Sequence, residues 1–145
     1  WNTIFMIGGM TAVAKGVEAS GLGAVIADGI MTLVGNNASP VLLVGIVYLV
    51  TGLITQFMSN NAAASIMAPI GIALAANLGV EPYAFVMAAL GGSLIAMLTP
   101  IATPIMAFAM EGGRYTPKEV FKWGLCTALI PNVIIAFVVI PLIWL

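Results

Sequence analysis

From residue 83 to residue 110 the chain runs for 28 residues without a charged side chain. A bilayer core about 30 Å thick calls for apolar runs of about 20 residues, and few soluble folds can bury one so long. The same character holds elsewhere. Charged residues are 6% of the chain and apolar residues 62%, where soluble domains carry roughly 25% and roughly 45–50%. The nine charged side chains are Lys15, Glu18, Asp28, Glu81, Glu111, Arg114, Lys118, Glu119 and Lys122. So few cannot solvate a 145-residue globule. The sequence reads as an all-α, polytopic integral membrane protein in contact with the lipid bilayer.

This inventory also removes whole classes of function. A net charge of −1 with no basic run gives a nucleic-acid backbone nothing to follow. The chain has no His and one cysteine, Cys126, which excludes zinc and disulfide frameworks. An intramembrane serine protease would lack its histidine base. An aspartyl type would need a second Asp beside Asp28. Nothing reads as an enzyme.

Along the chain, residues 1–20 are expected to form a transmembrane helix. Residues 4–14 are apolar without the basic lead-in of a signal peptide. The start on Trp1 is read as the continuation of a longer protein. In residues 21–37, Leu22, Val25, Ile26, Ile30 and Leu33 share one helical face, as in an amphipathic helix lying at the membrane interface. Residues 40–80 read as a helical hairpin opened by Pro40 and turning at Ser59-Asn60-Asn61. Its second arm has about 13 apolar residues, or about 20 Å at 1.5 Å each, so the hairpin is expected to be re-entrant. Residues 83–110 form a transmembrane helix broken at Thr99-Pro100-Ile101-Ala102-Thr103-Pro104, where each Pro removes a donor and clashes with the preceding turn. Residues 111–122 hold three of the four basic side chains, which places this loop in the cytoplasm. Residues 123–145 are the final span, with Trp123 and Trp144 near its ends.

Two of these features carry chemistry: the uncharged polar tip at 59–61 and the Pro-broken segment at 99–104. Each alone has a plain alternative, a surface turn for the first and a simple kink for the second. Together they match the pair of interrupted helices that marks a transporter's binding site. Irregular backbone at membrane depth persists only where protein buries it or it lines a cavity. Ser and Asn at 59–61, and Thr103 before Pro104, are helix-starting residues, and the two half-helices would aim their positive ends at one region, a setting for an anion. The oxygens of Thr55, Ser59 and Asn60, with the unwound carbonyl of Ala102, suit a hard cation such as sodium. No carboxylate or His lies in 38–80 or 83–110, which favours a metal cation over a proton as coupling ion.

At these residues the chain resembles the C-terminal part of the divalent anion/sodium symporter (DASS) family of citrate and dicarboxylate carriers. TQFMSNNAAASIMAPI, residues 55–70, is similar to that family's Ser-Asn-Thr hairpin signature. MLTPIATPIMA, residues 97–107, is similar to its second Ala-Thr-Pro loop. The order of short helix, interfacial arm, hairpin, broken helix, basic loop and last helix also matches. The resemblance implies the second half of an inverted-repeat ion-transporter fold. It implies a sodium site at Thr55, Ser59, Asn60 and Ala102, and substrate contacts at Asn60, Asn61, Thr103 and Pro104. It further implies a sodium-coupled secondary active transporter for a small divalent anion, in a homodimer that moves as an elevator in a bacterial inner membrane. Asn61 stands where the signature usually has Thr, and Ile105-Met106 replaces a frequent Pro-Asn. Di- and tricarboxylates and sulfate all stay open as substrates. The alternatives are another anion permease of the same superfamily, of arsenite or proton-antiport type, and a non-transporting membrane subunit.

Overall fold

The computed structural model describes residues 8–9, 12, 15–16, 19–35, 39–99 and 103–145. Most of the first expected span lies outside these residues, as does Ala102. Among the described residues the chain is helical and contains no strand. The helices are α1 (Leu22–Val34), α2 (Pro40–Ile54), α3 (Asn60–Leu78), α4 (Tyr83–Ser93), α5 (Pro104–Gly113) and α6 (Pro117–Ile134). A π-helical segment, Ile135–Val139, then leads into α7 (Ile140–Trp144). Among the described residues two continuous helical stretches, Asn60–Leu78 and Pro117–Trp144, are long and apolar enough to cross a bilayer.

Local chemistry sets most of the boundaries. Ser39 accepts the Leu42 N–H at 3.2 Å and Pro40 takes the first helical position, where its missing N–H costs nothing. Ser59 caps α3 in the same way, accepting from Ala62 N–H at 3.3 Å. Helix α3 ends on Gly79 in the left-handed region (φ 67°), and the Val80 N–H reaches back to the Ala75 carbonyl at 3.0 Å. Helix α6 opens with a capping box in which Thr116 Oγ1 accepts the Glu119 N–H and the Glu119 carboxylate accepts the Thr116 N–H at 2.8 Å. The bonds from the Thr116 backbone and side chain hold the Glu119 carboxyl below the usual carboxylate range. The π-helical segment falls between Pro131 and Pro141. Proline crowds the carbonyl four residues before it, and a wider turn makes room for that carbonyl.

Helices α2, α3 and α4 form the centre of the core. Leu43, Val44, Val47 and Tyr48 of α2 pack with Met67, Ile70 and Leu74 of α3 and with Ala84, Phe85, Ala88 and Ala89 of α4. Ala136 and Ile140 of the C-terminal stretch close one side. Small residues let the backbones approach, as is usual between helices in a membrane. A Cβ at Gly92 would overlap the Tyr48 carbonyl oxygen across the α2–α4 crossing. Tyr48 Oη also donates to Asn132 Oδ1 of α6 at 2.5 Å.

Helix α1 lies against α3, and Asn77 Nδ2 donates to Asp28 Oδ1 at 2.8 Å. Much of its apolar stripe faces away from the protein: Val25 is 68% and Leu33 89% exposed, while Ala27 is buried and Ile30 packs against the core. An outward apolar face fits an environment of lipid rather than water.

Candidate functional site

Helix α2 stops at Ile54 and α3 starts at Asn60, so residues 55–59 form the hairpin tip. Two tight backbone bonds shape it, from Gln56 N–H to the Leu53 carbonyl at 3.2 Å and from Phe57 N–H to the Ile54 carbonyl at 3.0 Å. Thr55 and Gln56 are buried, although they lie in a turn. What covers them is the second break. Helix α4 ends at Ser93, and residues 94–99 are not helical. The Thr99-Pro100 pair predicts unwinding from residue 99, so the break opens about a turn earlier than the prolines require. Gly91 and Gly92 weaken the last turn of α4, and the tip takes up the backbone groups that unwinding frees.

The contacts between the two breaks are specific. The Thr55 hydroxyl lies 2.9 Å from Asn60 Oδ1 and 3.1 Å from the Ser93 carbonyl oxygen. The Gln56 side-chain amide donates to the Ile95 carbonyl across the gap and to the Gly52 carbonyl at 2.8 Å. Gln56 Oε1 accepts the Leu98 N–H at 3.1 Å, and the Thr99 hydroxyl donates to the Gln56 carbonyl at 2.9 Å. On its other side the unwound segment meets α6 at Gly124, where a Cβ would stand 2.5 Å from the Met97 carbonyl oxygen. Among the described residues, every buried side-chain polar atom has a partner. At low dielectric each unpaired group would cost several kcal/mol.

The residues singled out from the sequence are placed as follows. Thr55 and Asn60 are bonded to each other, and Ser59 caps the helix that Asn60 begins. Asn61 occupies the next position of that first turn and is exposed. The first two amides of α3, those of Asn60 and Asn61, are not used by the Ser59 cap and head the helix dipole. Thr103 stands at the N-cap position of α5 with extended backbone, and Pro104 follows at the first helical position. Thr103 was expected to cap with its side chain, but its hydroxyl makes no capping bond. No hydrogen bond joins it to the tip among the described residues. Sequence reasoning missed Gln56, Ser93 and Thr99. Gln56 did leave a signal, since an amide in an uncharged apolar stretch is costly unless paired.

The arrangement has a defined chemistry. Thr55 Oγ1, Asn60 Oδ1 and the Ser93 carbonyl oxygen converge, and one hydroxyl proton serves two acceptors. Such a group of neutral oxygens complements a small hard cation. All three are neutral oxygens, so the set suits a weakly held monovalent ion better than calcium or a transition metal.

Comparison with known proteins decides the family: the Citrate transporter family model (CitMHS) matches residues 1–145. The chain belongs to the citrate transporter family. It is 30% identical over 144 residues to the Uncharacterized transporter YfbS of Escherichia coli, covering 99% of this chain and 23% of that protein. To the human Na(+)/dicarboxylate cotransporter 3 it is 34% identical over 125 residues, covering 86% of this chain and 20% of the relative. To the Sodium-dependent dicarboxylate transporter SdcS of Staphylococcus aureus it is 30% identical over 139 residues, covering 96% and 26%. The chain thus spans about a quarter or less of the length of these relatives. A citrate transporter family chain of this composition is an integral membrane protein, in a family of transporters rather than enzymes.

Proposed function

We infer that this chain is the second-repeat portion of a sodium-coupled secondary active transporter for a small divalent anion. The observation that carries the reading is the seating of the hairpin tip on the unwound end of α4, with Thr55, Asn60 and the Ser93 carbonyl gathered at the seam. Sodium binds at Thr55, Ser59, Asn60 and the Ala102 carbonyl. The anion is held by Asn60, Asn61, Thr103 and Pro104 and by the half-helix N-termini they begin, next to the cation that offsets its charge. No catalytic step is assigned; the work is binding and translocation. The names of the human and S. aureus relatives support sodium as coupling ion and a dicarboxylate as substrate.

In this reading residues 1–20 and 123–145 span the membrane, 40–80 is a re-entrant hairpin and 83–110 a broken span. The loop at 111–122 is cytoplasmic, and the interfacial helix of 21–37 links a fixed scaffold to the moving part. The carrier is a homodimer in a bacterial inner membrane, its dimer contacts supplied by the scaffold. The complete carrier, reconstituted in proteoliposomes, is expected to take up labelled succinate, citrate or sulfate only when sodium is present. Asn60→Ala is expected to abolish that uptake while the protein still reaches the membrane in native amount. Uptake of every anion without regard to sodium would refute the coupling.

A further inference from the structure

Resting on that reading, we propose that Gln56 is the positioning residue that holds the two helix breaks in register and so sets the affinity for the coupling cation. Gln56 is 3% exposed, and all its side-chain hydrogen-bonding groups are engaged. One amide proton goes to the Gly52 carbonyl near the end of α2 and the other to the Ile95 carbonyl of the opposite break. Its oxygen takes the Leu98 N–H. Ile95 and Leu98 lie in the stretch that no helix satisfies, and a single side chain pairs a backbone acceptor and a backbone donor there. Its main-chain carbonyl takes the Thr99 hydroxyl as well. Thr55, the adjacent residue, meets Ser93 just before this stretch. Gln56 therefore fixes the distance between Thr55 and the Ser93 carbonyl without itself belonging to the cation's oxygen set. Only a primary amide can donate twice and accept once in this way; a carboxylate cannot donate and an aliphatic group does neither.

The test uses the complete carrier in proteoliposomes, with uptake of labelled succinate, citrate or sulfate read against sodium concentration. Gln56→Leu is expected to raise the sodium KM at least about tenfold, the loss expected when three backbone groups, the Gly52 and Ile95 carbonyls and the Leu98 N–H, lose their side-chain partner. The maximal rate at saturating sodium and the amount of carrier in the membrane should stay near native. Gln56→Met keeps the length and packing of the side chain while removing the same bonds, and should raise the sodium KM by a similar factor. The KM for the anion at saturating sodium should stay near native in both variants, a split that a merely structural role would not produce. A native sodium KM in both variants, or a loss of maximal rate with the sodium KM unmoved, overturns the proposal. Should Gln56→Leu not reach the membrane, Gln56→Met decides alone. A native carrier indifferent to sodium would remove the coupling reading and this proposal with it; sodium dependence with unmoved variants removes the proposal alone.

Discussion

At the scale of single residues, Thr55 is where the two helix breaks meet. Its hydroxyl is fully buried between an amide oxygen of the tip and the last helical carbonyl of α4. Val has nearly the same shape and no hydroxyl. Thr55→Val should leave the fold intact and weaken sodium binding by about 1–3 kcal/mol, roughly 5- to 150-fold in affinity. Sodium-dependent thermal stabilisation of the purified carrier measures this, and an unchanged sodium midpoint would exclude Thr55 from the ion's surroundings. Thr55, Ser59 and Asn60 were legible in the sequence because oxygen-bearing side chains stand out in an uncharged run. Ser93 was not, because its contribution is a main-chain carbonyl, which every residue has. Gln56 was passed over because its value depends on Ile95 and Leu98, about 40 residues away.

At the scale of elements, the caps made by local side-chain bonds were readable, Thr103 excepted, and the ends set by tertiary contact were not. Ser39-Pro40, Ser59 and Thr116-Pro117 with Glu119 announce α2, α3 and α6 through local bonds. The end of α4 at Ser93 depends on groups across the gap, and no window of sequence around residue 93 contains them. The outward face of α1 has a different cause. Periodicity reports which side is apolar, but in lipid the apolar side need not be the inner one. The α2–α4 crossing is fixed by backbone approaching backbone, so it cannot yield by rotating a side chain. Gly92→Ala is expected to destabilise the carrier by about 1–3 kcal/mol through overpacking against the Tyr48 carbonyl. A thermal melt in detergent checks it, and an unshifted midpoint would mean that the crossing is looser than the structure shows.

At the scale of the whole molecule, scarcity of charge links the environment to the mechanism. The same lack of ionisable groups that suits the chain to a bilayer leaves the seam between the breaks with hydroxyls, amides and carbonyls alone. An anion bound there needs a compensating charge, and a co-bound monovalent cation supplies it without a buried carboxylate. Cation and anion binding should therefore be coupled, each raising the affinity for the other. The chain covers about a quarter or less of these relatives, and many large apolar side chains are exposed, Leu142 at 82% among them. Those faces suit lipid or further protein, and the complete carrier is the object to measure. The most direct measurement places equal concentrations of labelled substrate on both sides of a proteoliposome membrane and imposes an inward sodium gradient. Sodium coupling predicts accumulation of label against its own gradient, abolished when potassium replaces sodium. Label that stays level under the sodium gradient, in a carrier that exchanges it freely, would contradict sodium coupling.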